Sequence, residues 1–311
     1  MTEKHTEPYE VVVVGGGAAG LSAALVLGRA RRRTLVVDAG EPRNAPAAHM
    51  QGYLSRDGMS PADFLAVGRE EIARYGVELV RDRAVDVTRD DDFTVALASG
   101  RHVRARRLVV ATGLKDELPD VPGVAERFGN DVLHCPYCHG WEVRDRAFGV
   151  LATTPLSVHQ ALMVSQWSKD VTFFLHEVAE ADLSDDDLRR LAAAGVKVVP
   201  GAVAALVIED DRLTGVRLAD GTVHAREVVF TAPRALPQTG LLQKLGADFQ
   251  DTPFGAYPVV DPTGLTSVPG VWAAGNAMGY AEQVINAAAG GYRAGAFING
   301  ELLMADLDAA L

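Results

Sequence analysis

Two cysteines separated by two residues, Cys135 and Cys138, form the segment of this chain with the most specific chemistry. They are the only cysteines, and His134 and His139 flank them in the segment HCPYCHG. In a chain that also carries dinucleotide-binding patterns, this spacing indicates a redox-active dithiol. A purely structural disulfide would gain little from cross-linking so short a loop. A zinc site would need a second ligand pair that no other cysteine supplies, so we predict no metal site.

A glycine-rich turn near the N-terminus predicts a dinucleotide site. The apolar strand of residues 10–14 runs directly into the segment GGGAAG, and an alanine- and leucine-rich helix follows. Glycines at these positions permit a tight turn, close approach of a pyrophosphate and packing of the helix on the strand, while the helix N-terminus offers N–H groups to phosphates. The residues of this predicted phosphate site are Gly15, Gly17, Ala18, Ala19 and Gly20.

Residues at the ends of two later strands, at 35–38 and 108–110, belong to the same predicted dinucleotide site. Asp38 ends the second strand about 20 residues beyond the glycines, where an acid can hold a ribose hydroxyl. We include the adjacent Ala39, and also Asn44, because the polar side chains of the loop at 41–60 could reach a cofactor. The strand at 108–110 then ends in a segment at the carboxyl edge of the sheet, where doubly wound folds bind ligands. That segment is Ala111, Thr112 and Gly113.

A second strand–turn–helix unit, over residues 148–175, lacks the corresponding glycines. Its turn reads ATTPLS at 152–157, and a Cβ at each position blocks the close approach of a pyrophosphate. Its second strand is followed by His176 and an acidic stretch, with no arginine before Arg189 to bind the 2′-phosphate of NADPH. We therefore predict a domain with the shape of a nucleotide-binding domain but without an NADPH site.

Length and composition limit the functional classes. A chain of 311 residues fits two domains of ordinary size. The net charge of -11 argues against nucleic acid and anionic membranes as partners, because both require clustered cations. No apolar run approaches the roughly 20 residues of a membrane helix, and no secretory signal is evident, so we expect a cytoplasmic protein.

Taken together, these motifs resemble those of the low-molecular-weight thioredoxin reductase family over nearly the whole chain. The C-terminal part of the resemblance is the segment WAAGN at 272–276, followed by Gln283 and Val284. It implies a homodimer that binds FAD, with Gly275 and Asn276 at the ribitol and with Gln283 and Val284 at the pyrimidine edge of the flavin. Asn276 replaces the usual aspartate of the family, and an amide can still bond a hydroxyl.

The predicted fold class is α/β, with two Rossmann-like three-layer nucleotide-binding domains, the second inserted into the first. We place the FAD-binding domain at residues 1–114 and 233–311. The inserted NAD(P)-domain-like region, which carries the two cysteines, occupies 115–232.

The sequence differs from the typical pattern of the family in two features, and in both it resembles a branch of thioredoxin-reductase-like dithiol oxidases. His139 stands where an acid usually follows the second cysteine, and the NADPH fingerprint is missing. The resemblance implies FAD- and oxygen-dependent closure of a disulfide in a small natural product of gliotoxin or holomycin type, releasing hydrogen peroxide, as part of antibiotic biosynthesis. It also implies that Cys135 meets the substrate and Cys138 faces the flavin. Histidine, with a pKa of about 6.5, suits a base that accepts thiol protons, so His139 is the first candidate and His134 the second.

Two other functions stay open from the sequence. One is the parent activity of the family, thioredoxin reduction with NADPH or another electron donor. The other is a non-catalytic flavoprotein that senses redox state and regulates a partner. The missing glycines of the second turn count against NADPH, and the two flanking histidines count against a passive sensor. We therefore expect a small-molecule dithiol and molecular oxygen as the partners.

Overall fold

The computed structural model describes residues 8–311, which form two units. The first unit comprises the described residues up to Ala45, Pro61–Lys115 and Ala235–Leu311, and the second comprises Pro46–Ser60 and Asp116–Arg234. Residues 1–7 of the predicted first domain lie outside the described residues. The chain thus leaves the first unit, builds most of the second, and returns.

The first part of the first unit alternates strands with two helices. Its elements are β1 (Tyr9–Val14), α1 (Ala18–Arg29), β2 (Thr34–Asp38), α2 (Pro61–Ala73), β3 (Glu78–Arg81), β4 (Ala84–Arg89), β5 (Phe93–Leu97), β6 (His102–Val110) and β7 (Leu114–Glu117). The end of β7 leads into the second unit.

The second unit contributes four helices and eight strands within the described part of the chain. They are α3 (Val124–Arg127), β8 (Val132–Leu133), α4 (Pro136–His139), β9 (Phe148–Leu151), α5 (Ser157–Val164), β10 (Val171–Phe174), α6 (Asp185–Ala193), β11 (Lys197–Val199), β12 (Val203–Glu209), β13 (Arg212–Leu218), β14 (Val223–Ala225) and β15 (Val228–Thr231).

The chain then completes the first unit. The remaining elements are β16 (Arg234–Pro237), α7 (Gly240–Lys244), β17 (Phe249–Thr252), β18 (Gly255–Pro258), β19 (Val271–Ala273) and α8 (Val284–Asp308).

A seven-stranded sheet in the order β3-β2-β1-β6-β5-β4, with β19 beside β6, forms the centre of the first unit. Strand β1 pairs in parallel with β2 and β6, and its valines are buried on both faces, as is typical of a covered parallel strand. Val11 and Val13 pack toward α1 and α8, whereas Val12 and Val14 pack toward β4, β5 and α7. The unit therefore has three layers.

Helices α1 and α8 pack with their backbones in close contact. A Cβ on Gly291 would lie 1.9 Å from the carbonyl oxygen of Ala19, and a Cβ on Gly295 would lie 2.8 Å from that of Ala23. The small residues of α8 thus allow an approach that larger side chains would block. This contact explains why α8 carries several glycines although glycine lowers helix propensity.

The second unit is also three-layered. Its parallel sheet has the order β11-β10-β9-β15-β8. Ala161 of α5 and Leu191 of α6 join the core on one face, and residues of the antiparallel strands β12 and β13 cover the other. The predicted fold class, α/β with a second Rossmann-like unit inserted into the first, is confirmed.

Some boundaries differ from those expected from the sequence. Residues 46–60 belong to the second unit, although the sequence placed them in the first domain. Gly129 explains part of this assignment, since a Cβ there would lie 2.6 Å from the carbonyl oxygen of Pro46. The run of small residues over 287–295 predicts a helix from 283 to about 300, and helix α8 continues beyond it to Asp308. Within residues 8–311, no helix is long and apolar enough to cross a membrane.

Candidate redox centre and flavin site

The two cysteines form a disulfide at the end of β8. Cys135 lies at the N-cap of α4, a single turn that begins with Pro136. The Cys138 N–H donates to both the Sγ and the carbonyl oxygen of Cys135, at 3.2 Å each. Proline suits the first helical position because that position needs no N–H donor. The loop therefore holds the two sulfur atoms together on a rigid turn.

His139, the last residue of α4, is half-buried and directly follows Cys138 of the disulfide. Within residues 8–311, no hydrogen-bond partner reaches its Nδ1 atom. Burial lowers the pKa of His139, and the nearby Glu142 carboxylate and the backbone of Cys135 oppose that shift without cancelling it. The ring is therefore neutral at pH 7. A neutral imidazole can accept a proton, as the predicted base must, whereas a charged imidazolium cannot.

His134, the second predicted base, is held by hydrogen bonds on both its ring and its backbone. Its Nδ1 lies 3.2 Å from the carbonyl oxygen of Thr231, which can only accept, so Nδ1 donates. Its own carbonyl oxygen accepts from Gln160 Nε2 at 2.6 Å. These bonds tie the start of the cysteine loop to β15 and α5. The geometry assigns His134 an anchoring role and leaves His139 as the stronger candidate for the base.

The turn after β9, where a nucleotide domain would bind pyrophosphate, is closed by a side chain of the protein itself. The Oγ atom of Ser157 accepts from the N–H groups of Thr153 and Thr154 at 3.2 and 3.4 Å. Ser157 is only 2% exposed, and the Thr153 hydroxyl donates to the carbonyl oxygen of Ala232 at 3.0 Å. The donors that would bind a phosphate therefore already have partners.

In the first unit, the glycine turn between β1 and α1 fits a pyrophosphate. Gly15 has φ +109°, and a Cβ there would lie 2.2 Å from the carbonyl oxygen of Ala111. A Cβ on Gly20 would lie 1.8 Å from the Gly15 carbonyl oxygen, so both positions require glycine. Around Gly17, the N-cap of α1, there is open space within 4 Å of the ideal Cβ position. The turn thus leaves room for a phosphate at the N-terminus of α1, where Ala18 and Ala19 begin the helix.

Asp38 lies at the end of β2 against this turn. Its Oδ1 accepts from the N–H groups of Gly16 and Gly40, at 3.3 and 3.1 Å, and its Oδ2 forms an ion pair with Arg81. A carboxylate oxygen has two acceptor positions, so Oδ2 can still accept from a ribose hydroxyl. Sequence reasoning missed Arg81. The available signal was its position at the end of β3, directly opposite Asp38 in the parallel pairing.

Asn276 lies in the short turn that follows β19, next to Gly275. Its amide donates to the carbonyl oxygens of Gly279 and Tyr280, at 3.0 Å each. Its Oδ1 lies 3.5 Å from Arg43 Nη1. The amide hydrogens are thus used within the protein, and the oxygen is the atom suited to a ribitol hydroxyl. Gly275 has φ +65° and lies close to Ala19 of the glycine turn.

The other predicted flavin-site residues also lie in the first unit. The Thr112 hydroxyl donates to the carbonyl oxygen of Gln238 at 2.5 Å, so it has a structural role beside Gly113. Gln283 is the N-cap of α8, and Val284 is its first residue. Ala39 is exposed and Asn44 is half-buried. The first unit thus carries all the predicted flavin contacts, and the second carries the two cysteines and the two histidines.

A dinucleotide cradle in one unit and a redox disulfide in the other define the class of flavin-dependent disulfide oxidoreductases. The chain belongs to the pyridine nucleotide-disulphide oxidoreductase family, whose model matches residues 9–291.

Individual proteins show which members of this family the chain resembles. The chain is 33% identical to thioredoxin reductase sirT of Leptosphaeria maculans, over 97% of this chain and 96% of that protein. It is 32% identical to thioredoxin reductase tcpT of Claviceps purpurea, over 96% of this chain and 95% of that protein. Among solved structures, HlmI matches with a TM-score of 0.93 and 50% identity, covering 98% of this chain and 96% of that chain. The resemblance to thioredoxin-reductase-like flavoproteins, stated from the sequence, is confirmed.

Proposed function

We propose that this protein is a FAD-dependent dithiol oxidase. It closes a disulfide within a small natural product of holomycin or gliotoxin type, and oxygen takes the electrons as hydrogen peroxide. The observation that carries this proposal is the half-buried Cys135–Cys138 disulfide next to His139, whose pKa burial lowers. The Ser157 hydroxyl, which occupies the donors of the second turn, supports an electron source other than NADPH.

A substrate thiolate attacks Cys135 Sγ, which breaks the Cys135–Cys138 bond and releases Cys138 as a thiolate. The second substrate thiol loses its proton to His139 and attacks the substrate sulfur of the mixed disulfide. The product disulfide leaves, and Cys135 is released as a thiolate. The substrate is thus oxidised by two electrons and the cysteine pair is reduced by two.

FAD, when bound, supplies the acceptor for these two electrons and their route to oxygen. The residues that would hold it are Gly17 and the α1 N-terminus at the pyrophosphate, Asp38 at the adenosine ribose, Asn276 Oδ1 at the ribitol, and Gln283 with Val284 at the pyrimidine edge.

The half-reaction with the substrate tests this proposal. Under anaerobic conditions, the purified yellow protein mixed with a small dithiol should lose its oxidised-flavin absorbance without any nicotinamide. Cys135→Ser protein should stay yellow, because a single thiol cannot form the disulfide. A wild-type flavin that no small dithiol reduces would contradict the proposal.

Thioredoxin reduction with NADPH or another donor is the second candidate function. The observation that favours it is the similarity to sirT and tcpT, two proteins named thioredoxin reductases that this chain matches over nearly their full length. The closed turn at Ser157 counts against NADPH as the donor. Rapid bleaching of the flavin by micromolar NADPH, followed by reduction of thioredoxin, would favour this candidate.

We further propose a cytoplasmic homodimer that uses α8. This helix exposes a row of large apolar side chains, which monomeric proteins usually avoid. They are Tyr292, Phe297, Leu303, Met304 and Leu307. Leu303→Glu should shift the protein toward monomer in analytical ultracentrifugation, whereas Leu156→Glu, an exposed leucine of the second unit, should not. A wild-type protein that sediments as a monomer would contradict the dimer.

A further inference from the structure

The turn that carries the disulfide has a buried face and an exposed face. Pro136, Gly140 and Val143 are buried, and a Cβ on Gly140 would lie 2.7 Å from the Trp167 ring. Tyr137 and Trp141, spaced four residues apart on the other face, are 70% and 64% exposed. Solvent-facing positions of such a turn usually carry polar side chains. Here they carry the largest aromatic side chains of the segment.

Both exposed rings are held in place by neighbours of the second unit. The Arg144 guanidinium lies 4.1 Å from the centroid of the Trp141 ring and donates to the Trp141 carbonyl oxygen at 2.7 Å. Tyr137 meets Trp167 edge-on, with centroids 5.9 Å apart. The rings are thus preorganised before any ligand arrives, which reduces the entropy cost of binding.

Both rings lie close to the redox cysteines in the chain. Tyr137 lies between the two cysteines in the chain. Trp141 follows Cys138 by three residues, a spacing that places both on one face of a helical turn. Both rings therefore lie on the exposed face of the segment that carries the disulfide.

We propose that Tyr137 and Trp141 form a recognition surface for the substrate and select dithiols whose sulfur atoms are borne on a planar, unsaturated ring. This inference rests on the proposed oxidase function. Aromatic side chains favour offset-stacked or edge-to-face contact with flat π-systems. Each of these rings can bury about 150–250 Å² of surface. This area is enough to cover a small ring system, but the two rings together fall short of the roughly 800 Å² that each partner buries in a stable protein interface.

The test compares a planar dithiol with a flexible one. Toluene-3,4-dithiol and dithiothreitol each reduce the holoenzyme anaerobically, and the rate is followed as a function of dithiol concentration. Trp141→Ala should raise the half-saturating concentration of toluene-3,4-dithiol by about 2- to 13-fold, the worth of one aromatic contact. Its limiting rate should stay within about 2-fold, because the cysteines and His139 are unchanged. Constants for dithiothreitol should change by less than about 2-fold, and Trp141→Phe should keep most of the preference.

Tyr75→Ala provides the matched control. Tyr75 is also an exposed ring with an arginine over it, Arg29 at 5.0 Å, but it lies in the first unit. This variant should leave both dithiols unaffected. An equal effect of Trp141→Ala on both dithiols, no effect on either, or an effect only on the oxidation of reduced thioredoxin would each overturn the recognition surface while leaving the oxidase proposal intact. A wild-type enzyme that neither dithiol reduces would overturn both.

Discussion

Replacing His139 by glutamine tests whether this residue is the base that accepts substrate protons. Glutamine keeps a polar group of similar reach but cannot accept a proton near neutral pH. Because burial lowers the pKa of His139, the wild-type ring is in its neutral, proton-accepting form at pH 7. Besides the dependence set by ionisation of the attacking substrate thiol, the reduction rate of the wild type should therefore show an inflection below the ordinary histidine pKa of about 6.5. The variant should lack this inflection and keep only the dependence on thiol ionisation.

The expected loss of rate in His139→Gln depends on the fraction of the substrate thiol that ionises without a base. A thiol with a pKa of about 8.5 is only about 3% ionised at pH 7, and a positioned base contributes about 10²- to 10⁴-fold. His139→Gln should slow flavin reduction at pH 7 within that range. At pH 9 about three quarters of such a thiol is ionised, so the variant should regain about 25-fold relative to pH 7.

Anaerobic stopped-flow absorbance, with a small dithiol from pH 5.5 to 9.5, measures both the rate and its pH profile. His159→Gln is the control, because His159 is exposed on α5, and it should behave as the wild type. A His139→Gln profile that retains the inflection below about pH 6.5, or a rate at pH 7 equal to that of the wild type, would refute the assignment of this base.

Three further predictions concern the cysteines, the cofactor and the packing of α8. Cys135→Ser and Cys138→Ser should each abolish dithiol oxidation, while the protein still purifies with a full complement of FAD by absorbance. Asp38→Ala should raise the Kd for FAD, measured by fluorescence titration of the apoprotein, by about 10- to 150-fold, the worth of one hydrogen bond to a charged group. Gly291→Ala should lower the free energy of unfolding by about 1–3 kcal/mol in denaturant titrations, because its Cβ meets the Ala19 carbonyl, whereas Gly300→Ala on open α8 surface should not.

Local patterns in the sequence predicted the glycine turn and the cysteine loop well. In both segments the chemistry depends on residues that are neighbours in the chain. The steric contact of Gly20 with the Gly15 carbonyl belongs to one strand–turn–helix segment, so the spacing of the glycines alone implied it, whereas the contact of Gly15 with Ala111 depends on the pairing of β1 with β6. The three-layer architecture followed in the same way from continuous apolar strands such as β1.

Features that depend on contacts between distant segments could not be predicted in this way. Arg81 reaches Asp38 only because β3 pairs with β2. Residues 46–60 carry no periodicity that would assign them to the second unit. The sequence showed that the second turn lacks glycines, but only the structure revealed that Ser157 occupies its N–H donors. The orientation of Trp141 depends equally on tertiary packing around Gly140.

Oxygen consumption tests the central claim most directly. In air, the wild-type holoenzyme supplied with a small dithiol and no nicotinamide should consume one oxygen and release one hydrogen peroxide for each disulfide formed, over many turnovers. An oxygen electrode, a peroxide assay and a thiol titration on the same sample give this ratio. A protein that consumes no oxygen with any dithiol, yet whose flavin is bleached rapidly by micromolar NADPH, would contradict the account and favour a reductase.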